Sequence, residues 1–385
     1  MDRRGRLYLQ VSEAIRRDLA EGRYADRLPT EAELRDRFQV SLTTVKKALS
    51  LLVAEGRIER ISGKGTFPIK SASTRCPERS ATGVAGFLIS GLPDEFSRRL
   101  LRGVADELAL HDRFLLLGTT GSGPEREAEV IRKFRDQGVD GLIICPLEGE
   151  LYNEEILRLK LDRFPFVLID RWLTGIDTPY VVCDNRPLVR AAVEHLVGLG
   201  HRRLAMVSMG QPRPWSTQSL AERIDEFQLV TSQLSLESCG EAVWVVDEHD
   251  PLDGKIRTVM NRMRGSGVTA LIGSTTSDTQ LICQAAGGLG LRIPQDLSVV
   301  SYDYAGTDPS LVAAGVGGLA GPLTWIDQQE ETMGRRAVEL LLEVIADPQR
   351  TPKALVTGIL HPGTSTVPAA AKENGDSVVA GVRSR

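Results

Sequence analysis

Four aspartates stand at, or just past, the ends of apolar runs in this chain. Asp170 closes FPFVLID, Asp303 closes LSVVSYD, Asp184 follows YVVC, and Asp278 follows ALIGSTTS. A carboxylate fixed at a strand end can accept hydrogen bonds from paired hydroxyls on a small ligand. Arg223, in AERIDEF, adds a forked donor, and Phe96, Trp215 and Trp325 offer rings to cover an apolar sugar face. Trp172 and Trp244 read as packing. Each aspartate has a plainer use as the cap of the next helix. A second set of residues suits a polyanion. In VSLTTVKKALSLL, residues 40–52, Thr43, Lys46, Lys47 and Ser50 share the side opposite Val45, Ala48, Leu49 and Leu52, behind Ser41 as N-cap. Hydroxyls and amides at a helix N-terminus hold phosphates, and lysines add charge. Lys64, in Ser62-Gly63-Lys64-Gly65, can reach a neighbouring groove or phosphate. The plainer alternative is a solvated face on a small helical domain.

Charge divides the same way. Residues 1–70 hold 15 basic and 10 acidic side chains, a balance of 15 − 10 = +5, while the whole chain carries −4 and the remainder therefore −9. A basic head on an acidic body points to a polyanionic partner for the head alone. The five cysteines are odd in number and widely spaced. Together with the lack of a signal peptide or a long apolar span, they fit a reducing cytoplasm. No metal and no cofactor is expected. Neither GxGxxG after a strand nor GxxxxGK[ST] occurs, SGKGT at 62–66 lacks the first glycine, and there is no G-x-S-x-G elbow. These absences count against an enzyme of the doubly wound class.

The elements that must position these residues come in two styles. Residues 7–21 space Val11, Ile15 and Leu19 on one helix face ending at Gly22, and Thr30 with Glu33 forms a capping box ahead of Leu34 and Phe38. The Ser41 helix follows, and then RIERISGKGTF reads as a hairpin. Three helices and a hairpin make a winged helix-turn-helix over residues 1–69. Residues 70–82, rich in Ser and Thr, read as a linker. Beyond it, apolar runs at 84–89, 114–119, 140–146, 164–170, 203–208, 242–246, 269–274 and 297–303 alternate with helical segments. They predict an α/β body with two open sheets over 83–366, followed by a disordered tail at 367–385.

The head, through LPTEAEL, VSxTTV, AL-x-LL-x-x-EG and GKGT, is very similar to the DNA-binding domain of GntR-type regulators over residues 6–69. The resemblance implies recognition by Ser41, Thr43, Thr44, Lys46, Gly63, Lys64 and Gly65. Ala32 and Leu42 stand where the family often has arginine. In the body, GVDGLII, FVLIDR, VEHLVGLGHRRLAMV, LRIPQDLSVVSYD and PLTWIDQ resemble the effector-binding domain of LacI/GalR regulators, which has the periplasmic-binding-protein-like fold with two hinged lobes. This resemblance implies effector contacts from Phe96, Asp170, Asp184, Arg223, Asp278 and Asp303. Glu226, Ser277 and Glu330 depart from the family pattern. The combination resembles arabinose-repressor-like regulators. It implies a homodimer on a double-stranded palindromic operator, responsive to a small effector, with a sugar ahead of a nucleoside. The rival is a solute-binding clamp with no DNA-linked function.

Overall fold

The computed structural model describes residues 7–24, 26–61, 64–69, 81–92, 94–121, 123–147, 153–209, 218–237, 241–247, 249–303 and 322–369. Its head is built from helix caps. Helix α1 (Leu7–Ala20) turns Val11 and Ile15 inward. Helix α2 (Glu31–Phe38) carries the expected capping box: Thr30 Oγ1 accepts the Glu33 amide at 3.3 Å, and the Thr30 amide donates to the Glu33 carboxylate at 2.7 Å. The Thr30 amide and hydroxyl, both donating to it, hold the Glu33 carboxyl below the usual carboxylate range. Helix α3 (Leu42–Ala54) starts on Ser41, whose Oγ accepts the Thr44 amide at 3.1 Å. Val45, Ala48, Leu49 and Leu52 are fully buried with Ile15 and Leu34. Each of these side chains larger than alanine stabilises the head by roughly 1.5–3 kcal/mol before entropy is counted. Strands β1 (Ile58–Ile61) and β2 (Gly65–Pro68) pair antiparallel with Ile61 opposite Gly65, forming the wing.

The body has two lobes, each a six-stranded sheet among the described residues. The first lobe comprises β3 (Val84–Ile89), α4 (Glu95–Leu110), β4 (Phe114–Thr119), α5 (Pro124–Asp136), β5 (Gly141–Ile144), α6 (Glu154–Leu161), β6 (Phe166–Ile169) and β7 (Tyr180–Cys183). The second comprises α7 (Asn185–Gly198), β8 (Leu204–Met209), α8 (Gln218–Gln233), β9 (Val243–Val246), α9 (Leu252–Met263), β10 (Ala270–Gly273), α10 (Thr276–Gly288), β11 (Ser298–Tyr302) and β12 (Thr324–Asp327). The chain returns through α11 (Glu330–Ala346) and β13 (Lys353–Val356) to the first lobe, then through β14 (Ile359–His361) to the second. Sheet orders are β13-β7-β6-β5-β3-β4 and β14-β12-β11-β10-β8-β9. All pairs are parallel except β12 with β14.

The backbone therefore crosses between lobes after β7, after β12 and after β13. Parallel strands buried on both faces explain the unbroken apolar runs: β5, β6 and β10 are buried at every position. The first lobe carries a tight seam. A Cβ on Gly103 of α4 would collide with the Glu331 carbonyl, and one on Gly334 of α11 would lie 2.6 Å from the Leu100 carbonyl oxygen. The two helices touch backbone to backbone there.

All eight expected runs contain a strand. Strand β7 is the YVVC run that Asp184 was expected to follow; the crossing strands β12, β13 and β14 were not among the expected runs. At the expected linker's end, Thr82 donates its amide to Asp140 Oδ1 at 2.7 Å, and 70–80 lie outside the described residues. The expected tail begins too early. Val367 accepts from His201 Nε2 at 2.9 Å, and the Ala369 amide donates to the Leu199 carbonyl at 2.8 Å. Residues 370–385 lie outside the described residues.

Candidate functional site

The head presents part of the expected recognition set. Ser41 is exposed, Thr43 and Thr44 are half-buried, and Lys64 is exposed on the wing. The Ser41 and Thr44 hydroxyls lie 2.8 Å apart. Lys46 Nζ is 4.0 Å from Glu31, a loose pair that leaves the amine near the surface. Gly65 opens β2, and Gly63 lies outside the described residues. Lys47 departs from the expectation. It is only 8% exposed, its amine sits 4.6 Å from the centre of the Tyr8 ring, and burial pushes its pKa down. Ser50, expected on the same open side, is buried as well.

The body encloses a cleft of about 430 Å³ between its lobes, within the range of small-molecule sites. Phe96, Asp170, Arg223, Asp278 and Asp303 all line it, as expected. Asp184 does not. It precedes α7 at a lobe crossing, where its amide donates to the Val356 carbonyl at 3.0 Å.

Asp170 and Arg171 come from the end of β6, and Arg171 Nε donates to Asp170 Oδ2 at 3.1 Å. Arg223, on α8, donates from each of its three nitrogens to the protein. Its Nε donates to Asn185 Oδ1 at 2.9 Å, Nη1 to the Ser274 carbonyl at 2.8 Å and Nη2 to Gln328 Oε1 at 2.9 Å. Its guanidinium lies 3.7 Å from the Tyr302 ring centre. Gln328 also donates to Asp303 Oδ1, so Arg223, Gln328 and Asp303 form one chain of hydrogen bonds. Burial pushes Asp303 up to about 6, with Asp170 and Asp94 adding like charge against the opposing pull of Arg223.

Asp278 is committed largely to the fold. It accepts from Ser274 Oγ at 2.6 Å, Thr275 Oγ1 at 2.9 Å and the Met209 amide at 2.8 Å. Burial still pushes it up to about 6. Burial also drives the Cys145 and Cys183 thiols up to about 12, which keeps both protonated and unreactive near neutral pH.

Several residues do not take the places their sequence positions promised. Trp325 is not in the cleft wall and stacks on His361, centroids 4.7 Å apart. Trp172 packs on Tyr180, as expected for packing, and Trp215 lies outside the described residues. Glu226 turns to α7, pairing with Arg190 at 2.7 Å and Arg186 at 3.5 Å. Glu330 is buried, 3.0 Å from Arg99 of α4, with its carboxyl pushed up to about 8 by burial and by Asp303. Ser277 does line the cleft. The sequence reading missed Asp94, Arg171, Lys255 and Gln328. Arg171 follows Asp170 and Gln328 follows a strand-end Asp327, so strand-end position was a usable signal for both. Asp94 and Lys255 offered none. No cluster of three or more His, Cys, Asp or Glu suited to a metal occurs among the described residues, and no described helix is long and apolar enough to cross a membrane.

Two family models match the chain, one over the head and one over the second half of the body. Residues 7–67 match the family model of bacterial regulatory proteins, gntR family, and residues 193–366 match the periplasmic binding protein-like domain. The arabinose metabolism transcriptional repressor of Geobacillus stearothermophilus is 27% identical over 88% of this chain and 91% of its own length. The ribose operon repressor of Haemophilus influenzae is 24% identical over 74% of this chain and 81% of its own length. A crystal structure of a LacI family transcriptional regulator from Enterococcus faecium with bound ribose superposes with a TM-score of 0.59, at 22% identity, over 74% of this chain and 99% of that one. The chain thus joins a gntR-type winged helix-turn-helix to a two-lobed, periplasmic-binding-protein-like α/β body.

Proposed function

We propose that this protein is a ligand-responsive, sequence-specific DNA-binding transcriptional regulator. It represses sugar-metabolism genes in the cytoplasm until a small sugar fills the cleft. The observation that carries this reading is the pairing of a gntR-type head with a cleft whose two walls each supply a strand-end carboxylate. Carboxylates that face one another across a polar cleft suit a ligand rich in hydroxyls. Repressors of arabinose and ribose metabolism among the relatives agree with that chemistry.

The protein acts as a homodimer in this reading. In the first lobe, β4 is an edge strand whose first residue, Phe114, is 75% exposed, and Leu110 at the end of α4 is 77% exposed. A second copy covers that edge, and the two heads read the halves of a palindrome. On the DNA side, Ser41, Thr43, Thr44, Lys46 and Lys64 make the contacts. On the effector side, Phe96, Asp170 and Asp303 do.

Two measurements on the purified protein test this. A thermal-shift panel of pentoses, hexoses and nucleosides should contain a stabilising ligand, worth about 2.7 kcal/mol at a hundred times its dissociation constant. Duplex binding should fall steeply with salt and change when that ligand is added. A ligand that stabilises the protein while leaving duplex binding unchanged at every concentration defeats the proposal.

A further inference from the structure

The head rests on the first lobe through a built contact. Gly175, at φ +84, lies under Tyr8 and Leu51: a Cβ there would sit 3.2 Å from the Tyr8 hydroxyl and 3.6 Å from Leu51 Cδ2. Farther along, a Cβ on Gly56 would lie 3.3 Å from Leu161 at the end of α6. Arg60 of the wing pairs with Glu154, at the start of α6, at 3.1 Å, and also with Glu31. One apolar cluster runs without a break from the head core into the first lobe. At this contact Leu51 is 3% exposed; Ser50 is 3% exposed, and Lys47, 8% exposed, lies over Tyr8, the ring that meets Gly175.

Their position on α3 gives this burial its meaning. Val45, Ala48, Leu49 and Leu52 face the head core. Lys47 and Ser50 point away from that core, on the side that also carries Thr43, which is the side a recognition helix offers to a major groove. A major groove is about 12 Å wide and an α-helix with its side chains about 10–12 Å across. The groove admits α3 alone, not α3 with α6 packed beside it. In the docked arrangement the N-terminal end of α3 stays open, with Ser41 and Leu42 exposed and the Lys46 side chain 34% exposed.

The segment under the head begins in the cleft. Asp170 and Arg171 line the cleft, and the chain then runs through Trp172, stacked on Tyr180, to a turn closed by the Ile176 amide and the Leu173 carbonyl at 3.1 Å. Gly175 in that turn is the point that meets Tyr8 and Leu51. We propose that Asp170–Ile176 is a strap that, with α6, docks the head by covering the C-terminal half of the outward side of α3, and that the head must leave this dock to seat on DNA. The inference rests on the DNA-binding reading of the head. The effector would act on the strap at its Asp170 end.

The test compares the full-length wild type with Glu154→Arg/Leu161→Asp, a pair of body-surface changes outside both the effector cleft and the DNA face. Hydrogen exchange is followed in α3 and α6, and affinity is measured for a duplex that the wild type has selected from a random pool. We expect faster exchange in both helices and duplex binding tighter by about fivefold or more, as the docked fraction no longer competes. Glu154→Gln, which removes one ion pair and leaves the apolar contact, should shift both in the same direction by less, and it keeps the test decisive if the double variant unfolds. Unchanged exchange shows that the head is not docked in solution. Faster exchange with unchanged duplex affinity shows that docking and DNA do not compete. Either result overturns the inference. If the wild type selects no duplex, or binds one without regard to salt, the regulator reading fails and the inference with it, whatever the exchange data show.

Discussion

Asp170 and Asp303 occupy equivalent stations in the two lobes. Each follows the third strand in the order of its sheet, β6 and β11. Each has a φ of 67°, and each donates its amide to the neighbouring strand, to Val181 at 2.9 Å and to Ile326 at 3.1 Å. A non-glycine residue in the left-handed region is uncommon, and aspartate is among the few side chains that tolerate it. The two sites turn their carboxylates into one cleft from opposite walls.

Replacing Asp303 by Asn should abolish the effector's thermal shift while leaving duplex affinity of the free protein within about twofold, since Asp303 lies far from α3 in the fold. Isothermal titration with the ligand found by thermal shift, beside a duplex-binding curve, checks both halves.

Acid should weaken the effector's grip. Asp303 is pushed up to about 6, so below that pH it gains a proton and loses acceptor capacity for ligand hydroxyls. Stability runs the other way. An aspartate that ionises near 3.9 unfolded and about 6 folded holds more protons in the folded chain, so stability falls as pH rises between those values and levels off above. Asp278, also pushed up to about 6, adds to the same fall. Chemical unfolding from pH 4 to 7 should show the decline, flattened in Asp303→Asn.

Lys46→Ala and Lys64→Ala should each reduce the slope of log affinity against log salt by about one per head and weaken binding to all duplexes alike. A slope unchanged in the double variant would remove both lysines from the phosphate-contacting set.

Glu226 holds α8 to α7 through Arg190 and Arg186. Its carboxyl side chain is 6% exposed, but Arg186 and Arg190 are 46% and 37% exposed and stay solvated, so Glu226→Ala should cost no more than about 1 kcal/mol in denaturant unfolding. The effector response should survive, because Glu226 does not line the cleft.

Phe114→Asp with Leu110→Asp should convert a dimer to monomers in sedimentation and lower operator affinity through loss of the second half-site. A variant that stays dimeric moves the interface away from the β4 edge.

Much of this architecture was legible in the residues because its signals are local. Thr30 with Glu33 caps α2 within four residues, and runs such as GLII and FVLI fill buried parallel strands unaided. The crossing strands β12 and β14 were not legible. Thr324–Asp327 and Ile359–His361 are short, mix polar with apolar residues, and pair only because distant segments meet. Lys47 read as solvated because its own helix gives no hint of the Tyr8 ring from α1 that lies against its amine. Asp278 read as a ligand group because the donors that occupy it, Ser274, Thr275 and Met209, come from two different strand ends.

The glycine seam between α4 and α11 constrains how the molecule can change over evolutionary time. Helix α4 begins beside the cleft and α11 begins at a lobe crossing, and neither Gly103 nor Gly334 can acquire a side chain without prying the pair apart. Two parts that might otherwise drift separately are inherited as one casting. Variation in what the cleft accepts is left to the rims, where loops can be exchanged without disturbing the pivot.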